Sequence, residues 1–447
     1  IAHLRVPVFP HLDEVLRVPL FQLGGDVATH LLSILATLVT AGLLLAWFTE
    51  RGDAAAGWLA SALFLSAPLV VQLATTGYVE ALLTMFVTAS FYALDRWRDS
   101  EEVGWLLAAG VFAGCSASVK YLGLFWVGVS FLLVLAHGGR RMRSALLFAL
   151  AVCLALAPWY GRIVYYSGNP LFPFASGIFG STAWDIVTEE PRTLGDRCLA
   201  LVRLPWDLLF ARERAGLQPP FSPFLLALIP LAAMRAFGNG LVRALLIITL
   251  AWSVVWLWLP ADARYLEPAI PLACVAGTIA VREVLIRGTK DRRRLFAVAA
   301  IVVLSPSVLY ALYRIDRNGA IPLDRPGRDA FLSARVPEYG AIAFMNARSD
   351  ENDVAWLCGG EQLAYHYRGE MFGDFAGAAR FTLLTSARDE RELATRAKSL
   401  DARYLLIVKR SCSIPALESG SPLSQFARVY DDQVTTVYER TAVRNAD

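Results

Sequence analysis

Between residues 27 and 313 the chain is a close succession of apolar segments, and no other feature limits its fold as strongly. A helix that crosses a bilayer needs about 20 mostly apolar residues. Ten stretches approach that: 27–49, 56–74, 79–96, 104–119, 121–137, 144–161, 222–237, 242–260, 266–285 and 295–313. The stretches 104–119 and 121–137 have almost no connector, so they read as two spans or as one kinked or re-entrant element. Composition agrees with this pattern. Hydrophobic residues make up 56% and charged residues 18%, against about 45–50% and about 25% in soluble domains. A disordered chain is excluded and an ordinary soluble enzyme disfavoured. The net charge of +3 is too small for a nucleic-acid binder.

Basic residues favour the cytoplasmic side of short loops. One alternating set of connectors carries Arg51, Arg96 and Arg98, then Arg140, Arg141 and Arg143, then Arg235 and Arg243, and finally the cluster from Arg282 to Arg294. The other short connectors hold only Lys120 and Arg264. The first set therefore reads as cytoplasmic, which puts residue 1 and everything after Arg314 outside. The chain opens at Ile1 with no initiator Met and no signal peptide. That leads to the expectation that a first span and part of the following outer loop precede it, with a cleaved mature N-terminus as the alternative.

Three regions lie outside the apolar block. Residues 1–26, punctuated by Pro7, Pro10 and Pro19, are too polar to span and read as a segment along the outer face, ending in a Gly24-Gly25 turn. Residues 162–221 form a long outer loop, with LGDRCLALVRLPWDLLFARE as an interfacial helix. Residues 314–447 read as a small α/β domain. A helix in VPEYGAIAFMNARSD precedes a buried strand in DVAWLCGG; an amphipathic helix in DERELATRAKSLDA precedes a second strand in RYLLIVKR; and FARVYDDQVTTVYERTA closes as a hairpin turning at Asp431-Asp432. Among the six cysteines, Cys115, Cys153 and Cys274 lie inside spans as small apolar residues, while Cys358 and Cys412 can pair in an oxidising compartment or remain thiols. No metal-ligand spacing, phosphate loop, G-x-S-x-G or HExxH occurs, and no cofactor is expected.

Chemistry is sought at ionisable residues in or beside spans, because their burial is costly. Glu80 begins an apolar span, where a carboxylate can serve as a general base or simply cap the helix. Lys120 is the lone charge between two apolar segments, fit to meet a lipid phosphate or to snorkel to the headgroups. Arg264, in LPADARYLEPAIP, offers a fork that matches phosphate, or a partner for Asp262 or Glu267. Asp13 and Glu14 either hold an acceptor or face water, and water is the expectation for Asp13. All these charges fall at helix ends on the outer side, whereas a transporter usually places polar groups near the midplane.

The ordered set FPHLDEVLRVPLFQLGGD, ATTGYVEALLTMF, AGVFAGCSASVKYLG, APWYGRIVYYSGNPLFPF and ARYLEPAIPLA resembles the GT-C superfamily of polytopic glycosyltransferases, in the branch of protein O-mannosyltransferases and aminoarabinose transferases. The likeness runs from about Phe9 to Leu312, and the outer domain is more loosely similar to the C-terminal domain of many bacterial members. The resemblance implies a bacterial inner-membrane enzyme that takes a sugar from a polyprenyl-phosphate donor at the outer face. The sugar passes, with inversion, to a hydroxyl on a lipid, glycan or protein. It also implies an acidic residue in the first outer loop and a second one opening a later span. Glu80 matches the second, although Asp is commoner there. The first has no secure match; only Glu14 resembles a recurrent position. Lys120 and Arg264 are then the candidates for the lipid phosphate, with Arg162 after the PWYG motif and Tyr265 to orient Arg264. Asn169 is expected to shape a turn. The rival readings are a transporter of lipid-linked sugars and a non-catalytic envelope scaffold.

Overall fold

The computed structural model describes residues 8–137, 141–180, 193–284, 292–319, 322, 324–359, 361–373, 392, 395, 398–399, 401–410 and 426–441. The chain divides into two units, one of Phe9–Phe172 with Val187–Asn318, the other of Ile1–Val8, Pro173–Ile186 and Gly319–Asp447.

The larger unit is helical. Its elements are α1 (Leu12–Thr49), α2 (Ala54–Leu65), α3 (Pro68–Ala74), α4 (Glu80–Ser100), α5 (Val103–Val119), α6 (Gly123–Ala136) and α7 (Arg141–Ser167). After α8 (Ser176–Phe179), which lies in the smaller unit, come α9 (Leu194–Phe210), α10 (Pro223–Ala236), α11 (Gly240–Trp256), α12 (Ile270–Val284) and α13 (Arg292–Asn318). Every expected apolar segment is helical, but helix length does not establish ten spans. Among the described residues α1, α7 and residues 298–317 of α13 are long and apolar enough to cross a membrane alone, and α2 with α3 would make a fourth, bent by 77°. The bend has a local cause: Pro68 disfavours helical geometry at the residue before it, and Ala67 is extended (φ −81°, ψ 115°).

From Leu12 onward the described part of the segment 1–26 is helical. It joins the first span through a kink at Gly24 and Gly25, and Gly25 has φ 67° and ψ −157°, a region open essentially to glycine alone. A helix is present in the stretch 162–221 where one was expected, α9, capped by a reciprocal pair of hydrogen bonds between Thr193 and Asp196. It leaves Leu199, Val202, Trp206 and Phe210 exposed, as a helix lying in the headgroup layer would.

Packing in this unit relies on small residues, because lipid tails are as apolar as the side chains they replace. A Cβ at Gly114 of α5 would sit 2.6 Å from the Ala155 Cβ and 2.8 Å from the Val152 carbonyl oxygen of α7, and Gly110 meets α7 in the same way. The main core holds Leu44, Phe64, Leu73, Leu83, Trp126 and Trp252, all at most 1% exposed. At the far end of α4, Asp95 accepts from Trp47 Nε1 (2.5 Å) and Arg51 (2.7 Å), tying α4 to α1.

The smaller unit contains a five-stranded sheet in the order β2-β1-β3-β5-β4, made of β1 (Val354–Cys358), β2 (Glu370–Gly373), β3 (Tyr404–Val408), β4 (Phe426–Asp431) and β5 (Thr435–Arg440). β1 is parallel to β2 and β3, and β5 runs antiparallel to β3 and β4. Helices α14 (Arg325–Arg335) and α15 (Tyr339–Asn346) precede it; Ile342 and Met345 of α15 pack on Leu357, Leu406 and Val437. Both expected strands and the closing hairpin are present. Asp432 makes the turn, accepting from the backbone N–H groups of Val434 (2.8 Å) and Thr435 (2.6 Å). Cys358 is disulfide-bonded. Cys412 and most of the helix expected in DERELATRAKSLDA fall outside the described residues.

Candidate functional site

Three breaks in helical structure bring the expected charges together. The first is the loop before α4. Its carbonyls at Thr75, Thr76 and Tyr78 accept from His30 Nδ1 (2.8 Å), Ser33 Oγ (3.1 Å) and Arg17 Nη2 (3.2 Å). So anchored, the loop delivers Glu80 to the first turn of α4, where a negative charge is favoured.

The second is the turn between α5 and α6. Lys120 is extended (φ −158°, ψ 144°), ending α5. Its carbonyl accepts from Gly123 N (2.8 Å). The turn is so tight that a Cβ at Gly123 would collide with the backbone of Ser116 and Ala117. The two segments are therefore separate helices with the lysine at their junction.

The third is a 3-10 helix, Ala263–Ala269, leading into α12. The Asp262 carboxylate accepts from Arg264 N (3.0 Å), while Trp256 and Trp252 donate to the carbonyls of Asp262 and Tyr265, both at 2.8 Å.

Glu80, only 1% exposed, accepts from Lys120 Nζ at 2.7 Å and has Arg264 Nε at 3.8 Å from the same oxygen. Its Oε2 has no hydrogen-bond partner. Arg264 also pairs with Asp262 (3.1 Å) and donates from Nη2 to the Tyr265 hydroxyl (2.9 Å). Aromatic faces complete the surroundings: Lys120 Nζ lies 4.4 Å from the Tyr265 ring centre, and the Arg264 guanidinium 4.4 Å from that of Tyr78. Such faces hold cations in place without neutralising them. The structure thus brings Glu80, Lys120, Arg264 and Tyr265 into one cluster.

The remaining candidates are placed differently. Glu14 is exposed, near enough for the charges of Lys120 and Arg17 to act on its carboxyl. Arg162, on α7, donates to His11 Nδ1 (3.1 Å) and so joins the juxtamembrane segment; burial, then the Arg162 charge, pushes the His11 imidazole below its ordinary value. Asn169 accepts from Leu171 N (2.8 Å), so it shapes a turn as expected.

Asp13 requires a correction. It does not face water: it is 1% exposed and accepts from Arg17 Nε at 2.5 Å and Nη2 at 3.0 Å, because residues four apart share a helix face. Arg17 and Tyr78 were not singled out by sequence, and Glu267 only as a surface partner for Arg264, a pairing that Asp262 makes instead; all three lie in or against this cluster. Glu267 is fully buried, with neither carboxylate oxygen hydrogen-bonded. Among the described residues no group of three or more His, Cys, Asp or Glu could hold a metal ion.

Residues 16–164 match the family described as dolichyl-phosphate-mannose-protein mannosyltransferase. The structure aligns with ArnT from Cupriavidus metallidurans bound to undecaprenyl phosphate, over 97% of this chain and 88% of that one, with a TM-score of 0.58 and 15% identity. The chain carries the GT-C fold. The apo form of the same ArnT aligns at a TM-score of 0.55 and 16% identity, over 95% of this chain and 86% of that one. In sequence, 146 residues are 25% identical to the uncharacterized protein SF2092/S2214 of Shigella flexneri, covering 33% of this chain and 76% of that protein. Residues 327–439, in the smaller unit, match a family described as SF2091/S2213. The GT-C fold agrees with the resemblance drawn from the ordered motifs.

Proposed function

We propose that the chain is a glycosyltransferase that moves a sugar from a polyprenyl-phosphate donor to a hydroxyl acceptor at the outer face of the bacterial inner membrane, with inversion at the anomeric carbon. The observation that carries this reading is the buried Glu80 carboxylate held between Lys120 and Arg264 at helix breaks. The mannosyltransferase family match and the fold shared with a protein crystallised with undecaprenyl phosphate support a lipid-phosphate donor.

The cluster supplies both halves of such a reaction. Before the donor arrives, Glu80 is the internal counter-ion of Lys120 and Arg264. A lipid phosphate competes for the same two cations, and a guanidinium and an ammonium together match its oxygens. In the transfer the acceptor oxygen bonds to the anomeric carbon, its proton passes to Glu80 Oε2, and the bond to the lipid phosphate breaks. Protonating Glu80 removes the cations' internal partner as charge grows on the departing phosphate. Lys120 and Arg264 then stabilise the transition state more than the ground state. Tyr265 keeps both cations in register through its ring and hydroxyl. Glu14 is the second candidate for proton transfer, and Arg162 with His11 forms the flank that meets the donor's phosphate or sugar.

The proposed membrane domain is 27–313, with residues 1–26 on its outer face and 314–447 as an extracytoplasmic α/β domain. The disulfide at Cys358 supports that side, since disulfides persist in oxidising compartments. The test is transfer of labelled sugar from a polyprenyl-phosphate donor in proteoliposomes. Glu80→Gln and Lys120→Ala each lower the rate tenfold or more, about 1.4 kcal/mol of barrier. Unchanged rates in both remove the site assignment, and flux of intact lipid-linked sugar without transfer replaces the enzyme with a transporter.

A further inference from the structure

Glu267 is the least explained group in the larger unit. It sits on the same 3-10 helix that carries Arg264 and Tyr265, yet it points away from solvent entirely, 0% exposed. Neither of its oxygens has a hydrogen-bond partner, and no ion pair reaches it among the described residues. Two further orphaned atoms belong to the first turns of α4, against which this 3-10 helix packs: Glu80 Oε2 and Thr84 Oγ1, on a residue that is fully buried. Glu80 and Glu267 are within electrostatic reach of each other. The charge that acts on Glu267 is Glu80, on α4; Arg264 shares its 3-10 helix, but the recorded ion pairs of Arg264 go to Glu80 and to Asp262, the residue before that helix.

A buried carboxylate with no cation and no donor is among the costliest groups a protein can hold, and such a group sheds its charge instead. A carboxylic acid in its place has the opposite need: its hydroxyl is a donor seeking an acceptor. Glu80 takes its recorded side-chain hydrogen bond from Lys120, on Oε1, and loses it whenever the lysine turns to a phosphate, while Oε2 stays open for the acceptor's proton. The two needs are complementary, although the side chains are not in hydrogen-bond contact in this state.

We propose that Glu267 is a positioning residue for the transfer reaction, carried as a neutral acid whose hydroxyl replaces Lys120 as the hydrogen-bond donor to Glu80 when Lys120 turns to the donor's phosphate. The pair then carries one negative charge, on Glu80, where it can take the acceptor's proton. A carboxylic acid bonded to a carboxylate makes a short, charge-assisted bond, so Glu80 stays oriented at the step when its lysine is engaged elsewhere. Ionised, Glu267 would set a second negative charge beside an anionic substrate.

This inference rests on the transferase reading, so its test has one arm that depends on transfer and one that does not. In proteoliposomes Glu267→Gln, which keeps a donor and no charge, retains transfer within about threefold of wild type. Glu267→Met, of similar size with no donor, lowers kcat at least tenfold with the donor KM within threefold, the split expected of a group that acts only once the donor is bound. Full activity in Glu267→Met overturns the proposal, and so does equal loss in both variants, because the charge itself would then be what matters. Independently, the infrared spectrum of the purified wild-type protein shows the carbonyl stretch of a buried protonated carboxylic acid, and Glu267→Gln lacks it. An unchanged band in that variant refutes the neutral acid whether or not the protein transfers sugar.

Discussion

Replacing Lys120 by Met, which keeps most of the apolar stem, separates the two roles of the lysine. In the free protein it is the closest partner of a carboxylate that is 1% exposed. Removing one partner of a buried ion pair costs about 3–5 kcal/mol, because the other charge is left unmatched. Arg264 stays 3.8 Å from Glu80 and the Lys120 side chain is itself 28% exposed, so the lower end applies, about 3 kcal/mol. In catalysis the lysine meets the leaving phosphate, and losing one such group lowers the rate by about a hundredfold, or about 2.7 kcal/mol. The double variant Lys120→Met with Glu80→Gln tells these effects apart. With neither charge present the stability loss is largely recovered, giving a coupling of about 2–3 kcal/mol in a double-mutant cycle. Transfer is not recovered. The assays are the apparent melting temperature in detergent and labelled-sugar transfer in liposomes. Because the double variant also lacks the proposed base, the phosphate role is read from Lys120→Met alone: wild-type transfer in that variant refutes it.

Two further outcomes follow from the packing and the outer sheet. Gly114→Leu drives a side chain into Ala155 and Val152 of α7 and lowers the apparent melting temperature, at a cost of about 1–3 kcal/mol; Gly128→Ala, with nothing within 4 Å of its Cβ, leaves it unchanged. At Asp432 burial works upward, but the backbone donors of Thr435 and Val434 together with the hydroxyls of Tyr430 and Thr435 more than offset it and hold the carboxyl below its ordinary value. A carboxyl depressed by folding contributes stability above its unfolded value, about 3.9, and that stability is lost as pH falls through the lower folded value. Amide exchange in β4 and β5 therefore accelerates in that acid window, and the step shrinks in Asp432→Asn.

How much of this was legible in sequence follows from how far each feature depends on distant parts of the chain. Helices, strands and the Asp432 turn are local patterns of hydropathy and turn chemistry, and they were readable. So were Glu80, Lys120 and Arg264, because each is a charge at the end of an apolar run. Their convergence was readable only as a shared side of the membrane. The break at Ala67 had a signal that went unused, Pro68 inside an apolar run. Asp13 and Arg17 stand four apart, the spacing of a helical ion pair, but the segment's three prolines argued for surface chain. Glu267 gave no signal of its burial: in LPADARYLEPAIP it reads as a surface partner for Arg264, and the packing of its 3-10 helix against α3, α4, α11 and α12 buries it.

The central claim is that Lys120 and Arg264 receive the phosphate of a polyprenyl lipid. Thermal stabilisation of the purified protein by undecaprenyl phosphate, compared with undecaprenol, tests it most directly. A ligand at a hundred times its Kd stabilises by about 2.7 kcal/mol. Undecaprenyl phosphate gives that shift, undecaprenol gives little, and the double variant Lys120→Met with Arg264→Met loses it. Equal stabilisation by the two lipids, or an undiminished shift in that variant, would contradict it.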